Sequence, residues 1–134
     1  MAAKREALAN AMLDQVLRNQ SYTPPSQLFL ALYTVSPTPT ADGTEVSDAG
    51  TGYVRMPVTF LDASSGGTTN DGAVTWPAST GGYGGSNIVA VAICESSTVG
   101  TADYLYYGDL DTPFLIGDTD EPSFPDGMLV VLET

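Results

Sequence analysis

Carboxylates are the only reactive side chains that this sequence carries in quantity. It has 16 aspartates and glutamates against four lysines and arginines, with no histidine and one cysteine. Without histidine, Ser-His-Asp and Cys-His nucleophile systems are excluded, as is any histidine-ligated zinc site. A phosphoryl-transfer site would also lack its usual lysine and arginine clamps. What remains is the chemistry of carboxylate pairs and of cations bound by carboxylates.

Catalysis by such a pair is not indicated. A glycosidase needs two carboxyls about 5 to 10 Å apart across a sugar cleft, and nothing in the spacing of the acids singles out two of them. The lone thiol, Cys94, lies in an apolar run, and few bases are present to lower its pKa. We expect it to be a small buried hydrophobe. The sequence predicts no enzyme and no catalytic residue.

The acidic C-terminal segment is the better candidate for carboxylate chemistry. Asp109 and Asp111 are followed by Asp118, Asp120 and Glu121, which are hard oxygen ligands of the kind that Ca²⁺ accepts. Their spacing does not match that of an EF-hand loop, and acidic runs of this kind are common in solvated loops. We therefore predict no metal and no cofactor, and keep the last three residues as weak metal candidates.

Arg55 is the lone base after residue 18, in an otherwise acidic region. It should attract a carboxylate such as Glu45, Asp62 or Glu95, because arginine forms bidentate carboxylate pairs better than lysine does. Two interpretations stay open. The pair is either a salt bridge within the domain that fixes the turn over residues 45–53, or a link between subunits.

Charge also limits the partners. The formal net charge is −12, and three of the four bases lie in the first twenty residues. Affinity for nucleic acids comes largely from lysine and arginine neutralising phosphates, and anionic membranes attract the same residues. We therefore predict neither a nucleic-acid nor a membrane partner. No signal peptide is visible, since polar residues interrupt any apolar run after Lys4 and Arg5, and we expect assembly in the cytoplasm.

Tyrosines and glycine-rich loops are the remaining binding candidates. Seven tyrosines and one tryptophan are enough for a sugar-stacking platform, and strand alternation puts Tyr104 and Tyr106 on one face. The loops over residues 64–70 and 79–86 lack the phosphate-loop pattern and its lysine. We expect flexible surface turns there, with Tyr83 either tucked back or offered to a partner.

These residues must be positioned by one amphipathic helix, predicted over residues 3–19, and by a β region. Two apolar rows at spacing four form one stripe along the helix: Leu8, Met12 and Val16, with Ala9, Leu13 and Leu17. Asn19 is the expected stop. The stripe either packs across the sheet of its own domain or docks on a neighbouring subunit.

From residue 27 onward the sequence predicts only β structure. Pro57 cannot donate a ladder hydrogen bond, which places its strand at an edge or a bulge. Seven short apolar segments separated by turn residues indicate a mainly β fold, an antiparallel sandwich of about seven strands: 28–34, 53–61, 73–76, 87–94, 104–110, 113–116 and 128–133. We predict one compact domain, with residues 1–20 as an N-terminal helix or arm and 21–134 as the sandwich.

A combination of short motifs runs along much of the chain: YTPP (22–25), LALYT (30–34), PT (37–38), GTEVS (43–47), GYVR (52–55), VTF (58–60), AVTWP (73–77) and NIVAVAI (87–93). Together they resemble a family of small tailed-bacteriophage virion proteins, commonly labelled tail fibre, minor tail or virion structural protein. The acidic, proline-rich residues 112–126 depart from that pattern. No partner contact is therefore carried over to the C-terminal part.

The resemblance implies a non-enzymatic structural protein of the virion that binds other virion proteins. No internal repeat, heptad or β-helix period is present, so the chain cannot form a long shaft alone. A capsid decoration (cement) subunit that stabilises the shell is the favoured form, because an acidic exterior and a free helical arm suit it. The alternative is a tail or tail-fibre component, such as a minor tail protein or a fibre attachment or tip, including a host-glycan binding module.

A homo-oligomer is expected in either role, and a trimer follows only by analogy with decoration proteins. The major capsid protein or tail proteins are the other expected partners. The candidate interface residues lie on the helix stripe, at the lone arginine and among the tyrosines: Leu8, Met12, Val16, Arg55, Tyr83, Tyr104 and Tyr106.

Overall fold

A computed structural model describes residues 3–133. Within them lies one helix, α1 (Glu6–Arg18). The strands in chain order are β1 (Ala3–Lys4), β2 (Leu28–Val35), β3 (Thr44–Glu45), β4 (Met56–Val58), β5 (Gly67–Thr69), β6 (Val74–Thr75), β7 (Asn87–Cys94), β8 (Tyr104–Leu115), β9 (Ser123–Phe124) and β10 (Val130–Leu132). Strands make up 37% and helix 10% of the residues. The prediction of a mainly β fold with one N-terminal helix is confirmed.

The main sheet is antiparallel and is built around the two long apolar strands β2 and β7. Its order is β1-β8-β7-β2-β3, and β4 also pairs with β2. Residues 29–33 of β2 pair with residues 90–94 of β7. Both strands are buried on both faces over this stretch, which explains why their sequences are continuously apolar rather than alternating.

Each face of the main sheet buries its own core. The larger core contains Leu30 and Leu32 of β2 with Val91 and Ile93 of β7, packed against Trp76 and other residues of the second layer. That layer consists of two short antiparallel pairs, β5–β10 and β6–β9. The smaller core lies on the opposite face. It is made of alternate residues of the same strands together with Tyr104 of β8: Ala31, Tyr33, Ala90, Ala92 and Cys94.

Prolines mark irregular places in the sheet. Pro57 lies in β4, which pairs only with β2, as expected of an edge strand. Pro113 lies inside β8, where the sequence predicted two separate strands. The ladder between β7 and β8 is interrupted from Ala90↔Asp109 to Ile88↔Phe114, so Pro113 falls in a stretch that needs no ladder donor. One twelve-residue strand therefore replaces the two predicted ones.

Two other predictions need correction. The loop over residues 64–70 is not simply a flexible turn, because its second half forms β5 and pairs with β10. The helix begins at Glu6 rather than at residue 3, since β1 pairs with Tyr106 and Tyr107 at the edge of β8. Its predicted end is right. Asn19 caps it in the left-handed region, with φ at 54°, and donates its backbone N–H to the carbonyl oxygen of Asp14.

Candidate functional site

Arg55 lies at the centre of a buried ion cluster. Its Nε and Nη2 donate to the two carboxylate oxygens of Glu45, at 2.9 Å each. Its Nη1 donates to Oδ1 of Asp103 at 2.7 Å. The arginine side chain is 0% exposed, against 6% for Glu45 and 13% for Asp103. Of the two interpretations of this arginine, the pair within the domain is the one present.

The remaining hydrogen-bond capacity of the cluster is also used. Arg55 donates to the carbonyl oxygens of Ser96 and Thr101, at 3.0 and 2.8 Å, so that all five guanidinium N–H groups have acceptors. Glu45 accepts from the Tyr53 hydroxyl at 2.8 Å. Burial lowers the pKa of Arg55, but its hydrogen bonds to the carboxylates raise it, and the net shift is upward. The cluster ties β3 and β4 to the turn between β7 and β8.

Tyr83 and Tyr104 are likewise enclosed by their own domain. Tyr83 is 2% exposed. Its hydroxyl donates to the carbonyl oxygen of Pro77, and its ring meets Tyr53 edge-on at 5.6 Å. Tyr104 is 0% exposed, with its hydroxyl 2.6 Å from the Thr38 carbonyl oxygen. Like Arg55, these two tyrosines have no free surface, so an interface contact through them would require the surrounding residues to move.

Tyr106 is only half-buried. Its hydroxyl donates to Glu133 at 3.0 Å, and burial together with this carboxylate raises the pKa of Tyr106 to about 12. Glu133 also pairs with Lys4, and that hydrogen bond lowers the pKa of Glu133. The residues around Tyr106 therefore link the N-terminal strand to the C-terminal end of the chain.

Two of the three weak metal candidates accept hydrogen bonds from backbone amides, and the third, Glu121, is exposed. Asp118 accepts from the N–H of Gly81 at 3.0 Å, and Asp120 accepts from that of Gly117 at 2.8 Å. Over residues 3–133, no three carboxylate or thiol groups come together in a way that could hold a metal ion. In the same part of the chain, no helix is long and apolar enough to cross a membrane.

The helix presents an unpartnered apolar surface. Leu8 is its one buried residue, and Met12 is half-buried. Leu13, Val16 and Leu17 are 56%, 79% and 74% exposed, and we call these three residues the exposed helix face. The stripe therefore packs on its own domain at Leu8 and in part at Met12, whereas the exposed helix face does not.

A groove of about 380 Å³ opens on the larger core. It lies between β7 and β8 on one side and residues 124–131 on the other, and we call it the C-terminal groove. Its floor is apolar and includes Val91, Ile93 and Leu110. Met128 and Val130, which also line it, are 67% and 40% exposed. Apolar clefts of about 300–1,000 Å³ are typical binding sites.

Residues 3–132 match the model of the family described as Podophage GP4 fiber I protein gp80. The chain belongs to this fibre I family. The sequence resemblance to tail-fibre-type virion proteins of bacteriophages is thereby confirmed. A comparison with curated proteins gives no match.

In this member of the fibre I family, the sequence revealed the helix stripe but not the C-terminal groove. The groove depends on the pairing of β5 with β10, which brings the last residues alongside β8. Neither strand has a periodic pattern that could predict this pairing. The available signal is the apolar run around Met128 and Val130, from which the sequence predicts a strand over residues 128–133.

Proposed function

We propose that the chain is a non-catalytic structural subunit of a phage fibre, held in the virion by contacts with other virion proteins. The observation that carries this proposal is the match of residues 3–132 to a fibre protein family. The exposed helix face supports it, since aliphatic side chains on adjacent turns of a helix are typical of a contact surface. Capsid decoration, which the sequence favoured, has no comparable support.

The polar side chains of the domain favour a structural role over a catalytic one. The buried ion cluster has all its arginine donors paired, and Asp118 and Asp120 bind backbone amides. The Cys94 thiol is 0% exposed, and burial raises its pKa to about 12. A thiolate nucleophile would need the opposite shift.

A host-glycan module is the second candidate that the sequence raised. It would stack sugars on exposed aromatic rings, yet every tyrosine, phenylalanine and tryptophan side chain of residues 3–133 is buried or half-buried. The hydroxyls of the two tyrosines proposed as a platform, Tyr104 and Tyr106, donate hydrogen bonds to other residues of the same chain. The geometry therefore favours attachment to other virion proteins over sugar binding.

The copy number in purified virions tests the proposal. Quantitative mass spectrometry would compare this chain with the major capsid protein, and labelled antibody in electron micrographs would locate it. A fibre subunit should be present in tens of copies or fewer and be labelled at a fibre. A ratio near one to one or one to three with the capsid protein would overturn the fibre proposal in favour of decoration, and absence from the particle would overturn both.

A further inference from the structure

The sequence contains three Asp-Gly dipeptides, at which the backbone could rearrange spontaneously: Asp42-Gly43, Asp71-Gly72 and Asp126-Gly127. In such a dipeptide the amide nitrogen of the glycine can attack the side-chain carboxyl of the aspartate before it, because glycine has no Cβ to hinder the approach. Whether this happens in the folded protein depends on whether the amide and the carboxyl are free or held in hydrogen bonds. All six residues are exposed, so access of solvent does not distinguish the three dipeptides.

Two of the dipeptides hold each other in place. The N–H of Gly72 donates to Oδ1 of Asp126 at 2.9 Å, so one hydrogen bond engages the amide of the first dipeptide and the carboxyl of the second. The N–H of Gly127 donates to the carbonyl oxygen of Asn70 at 3.3 Å. Ring closure at Asp71 or at Asp126 would therefore first have to break native hydrogen bonds.

The third dipeptide, Asp42-Gly43, is not held in this way. Among residues 3–133, no acceptor bonds to the N–H of Gly43 and no donor bonds to the carboxyl of Asp42. Nη2 of Arg5 lies 3.8 Å from Oδ1 of Asp42, whose side chain is 57% exposed, and such an exposed pair restrains a side chain weakly. The same guanidinium donates to the carbonyl oxygen of Ala102 at 2.5 Å. Both reacting groups are therefore free at this dipeptide, in contrast to the other two.

We propose that Asp42 is a site of spontaneous isoaspartate formation in the folded protein. The amide nitrogen of Gly43 attacks Cγ of the Asp42 carboxyl in its protonated form. A C–N bond forms, and the hydroxyl of the carboxyl leaves with the amide proton as water. Water then hydrolyses the resulting succinimide. Opening at Cγ restores aspartate, whereas opening at the main-chain carbonyl gives isoaspartate, and no other reactant is needed.

The loop that contains Asp42 supports the start of the helix. The N–H of Glu6, the first residue of α1, donates to the carbonyl oxygen of Pro39 at 2.9 Å. The chain leaves this loop through a tight passage, because a Cβ on Gly43 would lie 2.4 Å from the carbonyl oxygen of Val35. Isoaspartate inserts a methylene group into the backbone directly before that passage. The loop must then shift, and we expect the modified chain to have a lower urea midpoint than the fresh protein.

The test is a peptide map of the purified full-length chain after incubation for several weeks at neutral pH and body temperature. Trypsin separates residues 19–55, which contain Asp42, from residues 56–134, which contain Asp71 and Asp126. Isoaspartate is detected by enzymatic transfer of a labelled methyl group to its free main-chain carboxyl. The label should accumulate in peptide 19–55 and be assigned to Asp42 by fragmentation, and a form of this peptide lighter by one water molecule should precede it. Peptide 56–134 should stay unlabelled.

Three controls separate the proposed site from general ageing of the chain. In denaturant the native hydrogen bonds are lost, so the label should appear in both peptides. Asp42→Glu keeps the charge but would require a six-membered ring, so it should abolish the labelling of peptide 19–55. Asp126→Ala frees the N–H of Gly72 and should make Asp71 reactive in the folded protein.

The proposal is overturned if peptide 19–55 of the folded wild type stays unlabelled, or if it is labelled no faster than peptide 56–134. It is also overturned if Asp42→Glu leaves the labelling of peptide 19–55 unchanged, because the isoaspartate then lies elsewhere. An Asp126→Ala variant in which Asp71 stays unlabelled would refute the hydrogen-bond argument that selects Asp42.

Discussion

Replacing Arg55 should destabilise the domain more than any other single charge change on the chain. Arg55→Met leaves Glu45 and Asp103, 6% and 13% exposed, facing each other without a cation. Removing one partner of a buried ion pair costs about 3–5 kcal/mol, because the remaining charge is buried and unpaired. A domain has a free energy of unfolding of about 5–15 kcal/mol. The variant should therefore lose a large fraction of its stability.

Arg55→Lys separates charge from geometry. Lysine keeps the positive charge but has three donors in place of five and cannot form the bidentate pair with Glu45. At least two of the present acceptors would lose their donor, and each such hydrogen bond contributes about 0.5–1.5 kcal/mol. We expect a loss of about 1–3 kcal/mol. Stability should therefore decrease from wild type to Arg55→Lys and further to Arg55→Met.

Urea unfolding measures these differences in the free energy of unfolding. The transition is monitored by circular dichroism and by the fluorescence of Trp76, which is 1% exposed. Two protein concentrations would separate unfolding from any dissociation of subunits. The matched control is Arg18→Met, which removes an exposed pair with Asp14 at 3.1 Å and should cost no more than about 0.5 kcal/mol. If the free energy of unfolding of Arg55→Met lies within about 1 kcal/mol of that of the control, which is roughly the net contribution of one hydrogen bond, the cluster does not stabilise the fold as argued.

Three further predictions follow from single positions. Gly82 and Gly81 both have positive φ, at 71° and 67°, but a Cβ at Gly82 would overlap the Ile116 carbonyl oxygen, whereas a Cβ at Gly81 would have nothing within 4 Å. The urea midpoint of Gly82→Ala should therefore lie well below that of Gly81→Ala. Equal midpoints would count against the close approach of Gly82 to Ile116. Burial raises the pKa of the Cys94 thiol to about 12. The thiol should therefore react with iodoacetamide only as fast as the domain unfolds. Modification of the native protein within minutes would contradict the burial of Cys94. Burial raises the pKa of all seven tyrosines above the ordinary value of 10.0. Their neutral forms stabilise the fold below pH 10, and this contribution is lost as the pH rises through the folded-state values. The absorbance of tyrosinate at about 295 nm should therefore rise in part only with alkaline unfolding, because the pKa values of the buried Tyr33 and Tyr53 are raised most. Titration of all seven tyrosines near pH 10 in a protein that is still folded would disprove the shifts.

The long strands were predictable because burial on both faces leaves a continuous apolar run. Strand β7 was predicted over residues 87–94 and has those bounds, and β2 differs by one residue. The end of α1 was predictable from Asn19, since asparagine adopts the left-handed region at low cost. In these cases a local pattern determined the local structure.

The short strands could not be predicted, because they exist only through their partners. Strands β1, β3, β5 and β9 have two or three residues each, too few to show an alternation. Strand β5 lies in a glycine-rich stretch that is typical of a loop, yet its three residues pair with β10 at the other end of the chain. Tertiary pairing overrides the weak local preference there.

The ion cluster was half predictable. A lone arginine in an acidic region must find a carboxylate, and Glu45 was among those considered. Asp103 was not, nor were the two backbone acceptors at Ser96 and Thr101. Those groups converge on Arg55 because the turn between β7 and β8 folds over it, and no residue type in that turn signals the contact in advance.

The helix stripe could be predicted from the sequence, but which of its residues are covered by the domain could not. An apolar row at spacing four predicts burial, but the same row serves whether the covering surface belongs to the same chain or to another copy. The structure separates the two cases: Leu8 is 6% exposed, whereas Val16, two turns further along, is 79% exposed. We propose that a contact with another virion protein covers Leu13, Val16 and Leu17; a Val16→Glu/Leu17→Glu variant that is incorporated into particles as wild type is would refute this.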